Sequence, residues 1–310
     1  MEQITVVGAG LMGSSIALVY ARAGHDVRIH DVDPARIESA LRQAGQMLDD
    51  LGKAGLGLPG DAGARSRLSG SVDLGEAVRG ADVVAEAIVE DVAAKRALYA
   101  HVEGLVGAQA VIASNTSGLQ PSDLSAEMAH PERFLVAHFW NPPHLIRLVE
   151  VVPGARTAER FVAATTGVLA RAGQRAVVVR REVPGFIGNR LQYALLREAL
   201  HLVRTGVASA EEVDAVVTTS FGRRLATVGP IATADLGGLH TFSAISRQLF
   251  PDLAAGTEEL ALLDEHVARG ELGAPTRHGF YDWSEGELER TLERRNQVLM
   301  QLLRDEAAKG

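Results

Sequence analysis

Hydrophobic and polar positions give this chain two textures. Up to residue 182, short apolar or β-branched runs at 4–7, 26–30, 81–88, 110–113, 134–139, 145–152 and 176–181 read as strands. Between them the period is helical, through Arg22 and then over residues 34–51, 93–106 and 157–172. Strands alternating with helices predict an α/β fold with a doubly wound sheet. Residues 54–74 are Gly-rich and read as an inserted loop with some helical content. From Val183 the pattern is helical almost to the end. Pro184-Gly185-Phe186 opens a long apolar-periodic helix, and Ser209 with Glu212 forms a capping box for the next. Residues 220–230 read as a loop carrying Arg223 and Arg224, and residues 276–283 as a turn. A charged helix from Glu285 to Ala308 places Leu288, Leu292, Val298, Leu299, Leu302 and Leu303 broadly on one side, so it packs on something. The expected domains are 1–182, α/β, and 183–310, all-α.

Composition narrows the classes. A chain of 310 residues with 46% hydrophobic content is long enough to bury a substantial core. No apolar run approaches a bilayer span, and the opening MEQITVVGAG lacks the basic region of a signal peptide. The absence of cysteine excludes disulfides, thiolate zinc sites and a cysteine nucleophile, and fits a reducing cytoplasm. A net charge of −8 argues against nonspecific binding to nucleic acid. The expected partner is a small molecule, with neither nucleic acid nor membrane.

Between the first strand and the first helix stands Gly8-Ala9-Gly10-Leu11-Met12-Gly13. Such a GxGxxG is informative only in this strand–turn–helix setting, where the glycines allow a tight turn, a close approach of pyrophosphate and close helix–strand packing. Asp31 ends the second strand at the distance expected of a ribose ligand. A carboxylate there would repel a 2′-phosphate, which favours NAD over NADP. The N-terminal half is therefore expected to be of Rossmann type. Glu90 at the end of another strand would face the ligand crevice of such a sheet. Lys95 opposes the dipole in its helix's first turn; a cofactor role and a solvated surface pair both remain open. Ser114-Asn115-Thr116-Ser117 reads either as turn chemistry or as a holder of a substrate hydroxyl.

Asn141-Pro142-Pro143 breaks two strand-like runs. His138 lies where the first runs out, and Glu150 lies between Val149 and Val151 in the second. A carboxylate buried there without a partner is costly. A nearby imidazole would answer that cost and create a base oriented by a carboxylate. A water-facing Glu beside a core histidine remains the alternative.

Taken together, these residues resemble the 3-hydroxyacyl-CoA dehydrogenase family over nearly the whole chain. GAGLMG, the acidic end of the second strand, EAIVE followed by Lys95, SNTS, HFWNP, LVEVV, PGFIGNR and GFYDW occur in that order. The resemblance implies that His138 is the general base and Glu150 its partner. Ser117 and Asn189 would flank the substrate oxygen, with Asn141 close to the pair. Gly8, Gly10, Leu11, Met12, Gly13, Asp31, Glu90, Lys95 and Asn115 would bind NAD. A helical C-terminal domain that makes a homodimer is also implied. Members acting on acyl-CoA usually carry HFFNP and a single proline, whereas NPPHL is more similar to members acting on gulonate, carnitine or pyridine carboxylates. Arg223 or Arg224 is accordingly expected to meet a substrate carboxylate or a CoA phosphate. A third reading is a nucleotide-binding structural protein, like the lens crystallin in the same family.

Overall fold

The structure, a computed structural model, describes residues 1–284 and 286–308. It divides into two compact units, Met1–Asn189 with Arg294–Gly310, and Arg190–Glu293.

In the first unit the elements run β1 Gln3–Val7, α1 Leu11–Arg22, β2 Asp26–His30, α2 Pro34–Lys53, α3 Asp61–Ala64, β3 Leu68–Ser71, α4 Leu74–Val78 and β4 Val83–Glu86. They continue with α5 Val92–Glu103, β5 Val111–Ser114, α6 Pro121–Leu124, β6 Phe134–Phe139, β7 Leu148–Pro153, α7 Glu159–Arg171 and β8 Arg175–Val178. One eight-stranded sheet has the order β3-β2-β1-β4-β5-β6-β7-β8. All its pairings are parallel except β6 with β7. The doubly wound α/β expectation holds.

Residues alternate across the pleat, so each strand feeds two cores. Ile4, Val6, Val83, Ala85, Leu135, Ala137, Val149 and Val151 pack with α1, α2 and α7. Val7, Val84, Ile112 and Phe134 face the other way, onto Tyr99, Val102 and Leu124. Val136 and Val152 share that second face with Phe186. His138 and Glu150 fall on the same parity as these two valines.

Several boundaries differ from the sequence reading. The segment read as a loop contains β3, whose LSGS offers a single apolar side chain as signal. A Cβ at Gly70 would lie 2.2 Å from the Ile37 side chain, so the strand is accepted for its smallness. The strand expected to resume at 145 begins at Leu148, because the amides of Leu145 and Ile146 turn back to the Pro142 carbonyl at 2.9 and 3.0 Å. Glu86, not residue 88, ends β4.

The long helix α8 Gly188–Arg204 starts two residues later than read, after Gly185 and Phe186, which both have positive φ. In the second unit α9 Ala210–Thr219 carries the capping box as read. Arg223 and Arg224 lie in a short helix, α10 Phe221–Leu225, and not in a loop. Three further helices follow, α11 Pro230–Leu236, α12 Leu239–Leu249 and α13 Leu260–Ala268. The last helix, α14, spans Glu287–Ala307. Its expected start at Glu285 lies outside the described residues. Leu299 and Leu303 pack on the sheet's core. Val298, placed on the packing side by the sequence reading, is 56% exposed. No helix among the described residues is long and apolar enough to cross a membrane.

One contact ties the segment after β6 to α1. Ser15 Oγ accepts from the His144 amide at 3.1 Å and lies 2.8 Å from His144 Nδ1. Its hydroxyl hydrogen is thus available for Nδ1, which requires a neutral ring protonated at Nε2. Burial, with Arg22 adding to it, pushes His144 down to about 4 from 6.5. A depressed histidine contributes stability that is complete above pH 6.5 and lost as pH falls from there through about 4. The loss is at most about 3 kcal/mol. Urea midpoints of the wild type and His144→Phe, compared from pH 7 to pH 4, should converge as pH falls; a constant difference would reject the assignment.

Candidate functional site

β6 and β7 place His138 opposite Glu150 in antiparallel register. β7 is hydrogen-bonded on both sides, so Glu150 does not stand on an edge strand. Both residues are buried, at 4% and 1% exposure, which removes the water-facing alternative. His138 Nδ1 lies 3.0 Å from Glu150 Oε2. The other carboxylate oxygen accepts from the amides of Ile187 and Gly188 at 2.9 and 3.0 Å. Burial pushes the Glu150 carboxyl up, but the hydrogen bonds from His138, Gly188 and Ile187 outweigh it and hold the group below the usual carboxylate range. An ionised Glu150 only accepts, so Nδ1 carries the proton and Nε2 is the ring nitrogen left to exchange one.

Aromatic rings enclose the imidazole. Trp140 and Phe186 lie 5.3 and 5.7 Å from it between centroids. A Cβ on Gly188 would meet the Trp140 ring at 2.2 Å, so α8 begins with the one residue that leaves the indole its place.

Around Ser117 the sequence candidates converge. Asn189 Nδ2 donates to the Ser117 carbonyl at 2.6 Å. The Ser117 amide donates to Glu90 Oε1 at 3.1 Å, and the Thr116 hydroxyl donates to the same oxygen. Asn115 Oδ1 accepts from the Phe139 amide at 2.8 Å, tying this loop to the strand end beside His138. Lys95 is not a solvated surface residue. It is 1% exposed and sits 2.6 Å from Glu86 and 3.3 Å from Glu90. Glu86, fully buried, escaped the sequence reading; a carboxylate inside the apolar run VVAEAIV was the available signal. Asn141 lies exposed beyond Trp140, joined to Pro142 by a cis peptide. In the second unit Arg223 Nε donates to the Thr218 carbonyl at 3.2 Å, and Arg224 is exposed.

The glycine turn has the shape a dinucleotide needs. Gly8 has φ +108°, and a Cβ there would lie 2.5 Å from the Ala87 carbonyl. A Cβ on Gly13 would meet the Gly8 carbonyl at 1.8 Å, whereas Gly10 faces open space. No side chain caps the start of α1, and its first turn holds no acid. Leu11 and Met12 thus offer main-chain amides to a phosphate. Asp31 Oδ2 accepts from the Ala9 amide at 3.0 Å and Oδ1 from the Asp33 amide at 3.1 Å, so the carboxylate is fixed against the turn. The residues fit NAD. Among the described residues no His, Cys, Asp and Glu cluster could hold a metal.

Comparison with known proteins agrees with this geometry. The NAD-binding domain of 3-hydroxyacyl-CoA dehydrogenase matches residues 3–183, and the C-terminal domain of the same family matches residues 185–283. The chain is 37% identical over 284 residues to 5-formyl-3-hydroxy-2-methylpyridine 4-carboxylate 5-dehydrogenase of Mesorhizobium japonicum, covering 91% of this chain and 90% of that one. It is 34% identical to a probable 3-hydroxybutyryl-CoA dehydrogenase of Bacillus subtilis, over 92% and 98% of the two chains. A crystal structure of a 5-formyl-3-hydroxy-2-methylpyridine 4-carboxylic acid 5-dehydrogenase, described as NAD-dependent, superposes with a TM-score of 0.92 at 33% identity, covering 98% of each chain. A turn shaped for NAD, an oriented imidazole and these matches lead to one conclusion: the chain belongs to the 3-hydroxyacyl-CoA dehydrogenase family of NAD-dependent oxidoreductases.

Proposed function

We propose that the chain oxidises a secondary alcohol β to a carboxyl or thioester, as in 3-hydroxyacyl-CoA to 3-oxoacyl-CoA, with His138 as general base. The buried His138–Glu150 contact carries this reading, because it leaves Nε2 as the proton acceptor. His138 takes the hydroxyl proton, Glu150 stabilises the imidazolium that forms, and Ser117 and Asn189 hold the substrate oxygen. Bound NAD supplies the hydride acceptor. Gly8, Gly10, Leu11, Met12, Gly13, Asp31, Glu90 and Asn115 are assigned to its site, with Lys95 behind Glu90, and Asn141 to the substrate. The meeting of the two family matches near residue 184 supports functional domains of 1–182 and 183–310.

A second reading replaces the thioester by a free carboxylate. It is favoured by the similarity, over nearly the whole chain, to an enzyme named for a pyridine carboxylate. Arg223 and Arg224 are then the candidate ligands for that group. A purely structural protein would have no use for a buried, oriented base, which counts against the crystallin-like reading.

We also infer a homodimer. Among the described residues of 190–293 only Leu200, Val213 and Glu259 are buried, whereas Ile231, Leu236 and Phe250 are 83%, 80% and 70% exposed. So little buried apolar surface does not offset the chain entropy of ordering such a unit, and a second copy would cover it. A cytoplasmic setting is in keeping with the absence of cysteine.

NADH formation should be measured with 3-hydroxybutyryl-CoA, gulonate, carnitine and aromatic hydroxymethyl acids. Turnover of one class identifies the substrate, and turnover of none rejects the dehydrogenase reading. With the best substrate, His138→Ala should lower kcat by about 10²–10⁴-fold while NAD still binds; retained activity would assign the base elsewhere. Arg223→Ala or Arg224→Ala should raise KM about tenfold or more, as expected for a lost charge-assisted contact. Unchanged KM in both would free the arginines from substrate binding. Sedimentation should show a dimer that Ile231→Asp with Phe250→Asp weakens, and a wild-type monomer would dispose of that assembly.

A further inference from the structure

Glu86 has no solvent exposure and stands where β4 ends, yet nothing in the proposed reaction uses it. Both its oxygens are engaged. Oε1 accepts from the Ile88 amide at 2.7 Å and Lys95 Nζ at 2.6 Å; Oε2 accepts from Ser114 Oγ at 2.7 Å and from the Tyr99 hydroxyl. A buried carboxylate with a full set of donors and a buried counter-ion is held in one geometry.

From Glu86 the contacts run outward in two branches. Along the first, Ser114 Oγ also accepts from the Thr116 amide at 3.2 Å. Along the second, Lys95 reaches Glu90, which takes the Thr116 hydroxyl and the Ser117 amide. Thr116 Oγ1 then accepts from the amides of Gly118 and Leu119 at 3.4 and 3.1 Å. The loop after β5 is thus held by side chains, and both branches are rooted in one carboxylate. Its far end is the Ser117 carbonyl that receives Asn189.

The identity of the cation is a second sign. Of the chain's 31 basic residues only Lys53, Lys95 and Lys309 are lysines. A compact ammonium fits between two carboxylates where a planar guanidinium would force them apart.

We propose that Glu86 is a positioning residue: through its counter-ion Lys95 and through Ser114 it fixes the loop that carries Ser117, whose carbonyl receives Asn189. The inference rests on the reading that Ser117 and Asn189 hold the substrate oxygen.

Glu86→Gln keeps the size of the side chain and removes its charge, leaving Lys95 with Glu90 alone. Hydrogen exchange followed by mass spectrometry, on the protein without substrate, should show faster exchange over residues 114–119 and no change over β1 and β2. Reductive methylation should modify Lys53, which is 72% exposed, in both proteins, and Lys95 only in the variant. With the best substrate of the panel, kcat should fall about ten- to a hundredfold, as for a misplaced catalytic geometry, while NAD still binds. If Glu86→Gln does not fold, Tyr99→Phe, which removes one donor, should give the same pattern at smaller amplitude. Unchanged exchange over 114–119 in a folded variant, or faster exchange with undiminished kcat, overturns the proposal. Ser117→Ala separates the two readings: full turnover there removes the oxygen-binding assignment, whereas its loss beside an unaffected Glu86→Gln removes only this inference.

Discussion

The site depends on the antiparallel pairing of β6 with β7, the one reversal in an otherwise parallel sheet. Register is quantised in such a pair, since a slip of one residue turns every side chain to the other face. With His138 opposite Glu150, the residues on either side of each (Ala137 and Phe139, Val149 and Val151) are committed to one core and the two polar side chains must meet on the other face. A buried carboxylate alone would be strongly disfavoured. Here it has the imidazole on one oxygen and two main-chain amides on the other. Those amides belong to Ile187 and Gly188, where α8 starts, so the contacts that orient the base also fix the chain one residue before Asn189.

The same economy recurs on β4, three strands from β7. Glu86 is buried at the end of its strand and Glu150 within its own, and the partner of the first is a lysine where that of the second is an imidazole. The difference suits their places. A neutral imidazole can gain a proton while its carboxylate partner compensates the new charge. An ammonium between two carboxylates has no such freedom and serves to hold a loop still. Two buried acids in one sheet therefore do opposite work, and the chemistry of the partner decides which.

The sheet and the glycine turn were legible in the sequence because each rests on a short-range rule. Buried parallel strands show as apolar runs, and a Gly8 at positive φ against the Ala87 carbonyl admits no other residue. β3 was not legible, since LSGS is stabilised by pairing with β2 and by the space it leaves for Ile37, neither of which leaves a local apolar pattern. Arg223 and Arg224 read as loop because Ser220, Gly222 and Gly229 punctuate the stretch, yet Phe221–Leu225, Gly222 included, close a helical turn. The burial of Lys95 was hidden for a different reason. Its position in a first helical turn is normally solvated, and only the approach of β4 and the Glu90 loop encloses it.

Aromatic packing around His138 bears on which substrates the base can serve. Trp140 occupies the space that a side chain at position 188 would fill, and Phe186 closes another side with its backbone in the left-handed region. A phenylalanine conformation of this kind costs free energy; here the amides that follow it grip Glu150, and its ring lies in a core with Val136 and Val152. The aromatic wall and the oriented carboxylate are therefore formed by the same turn. A substitution that relaxed Phe186 to an ordinary conformation would release Glu150 and open the wall together, so substrate shape and base orientation are not independently adjustable in this chain.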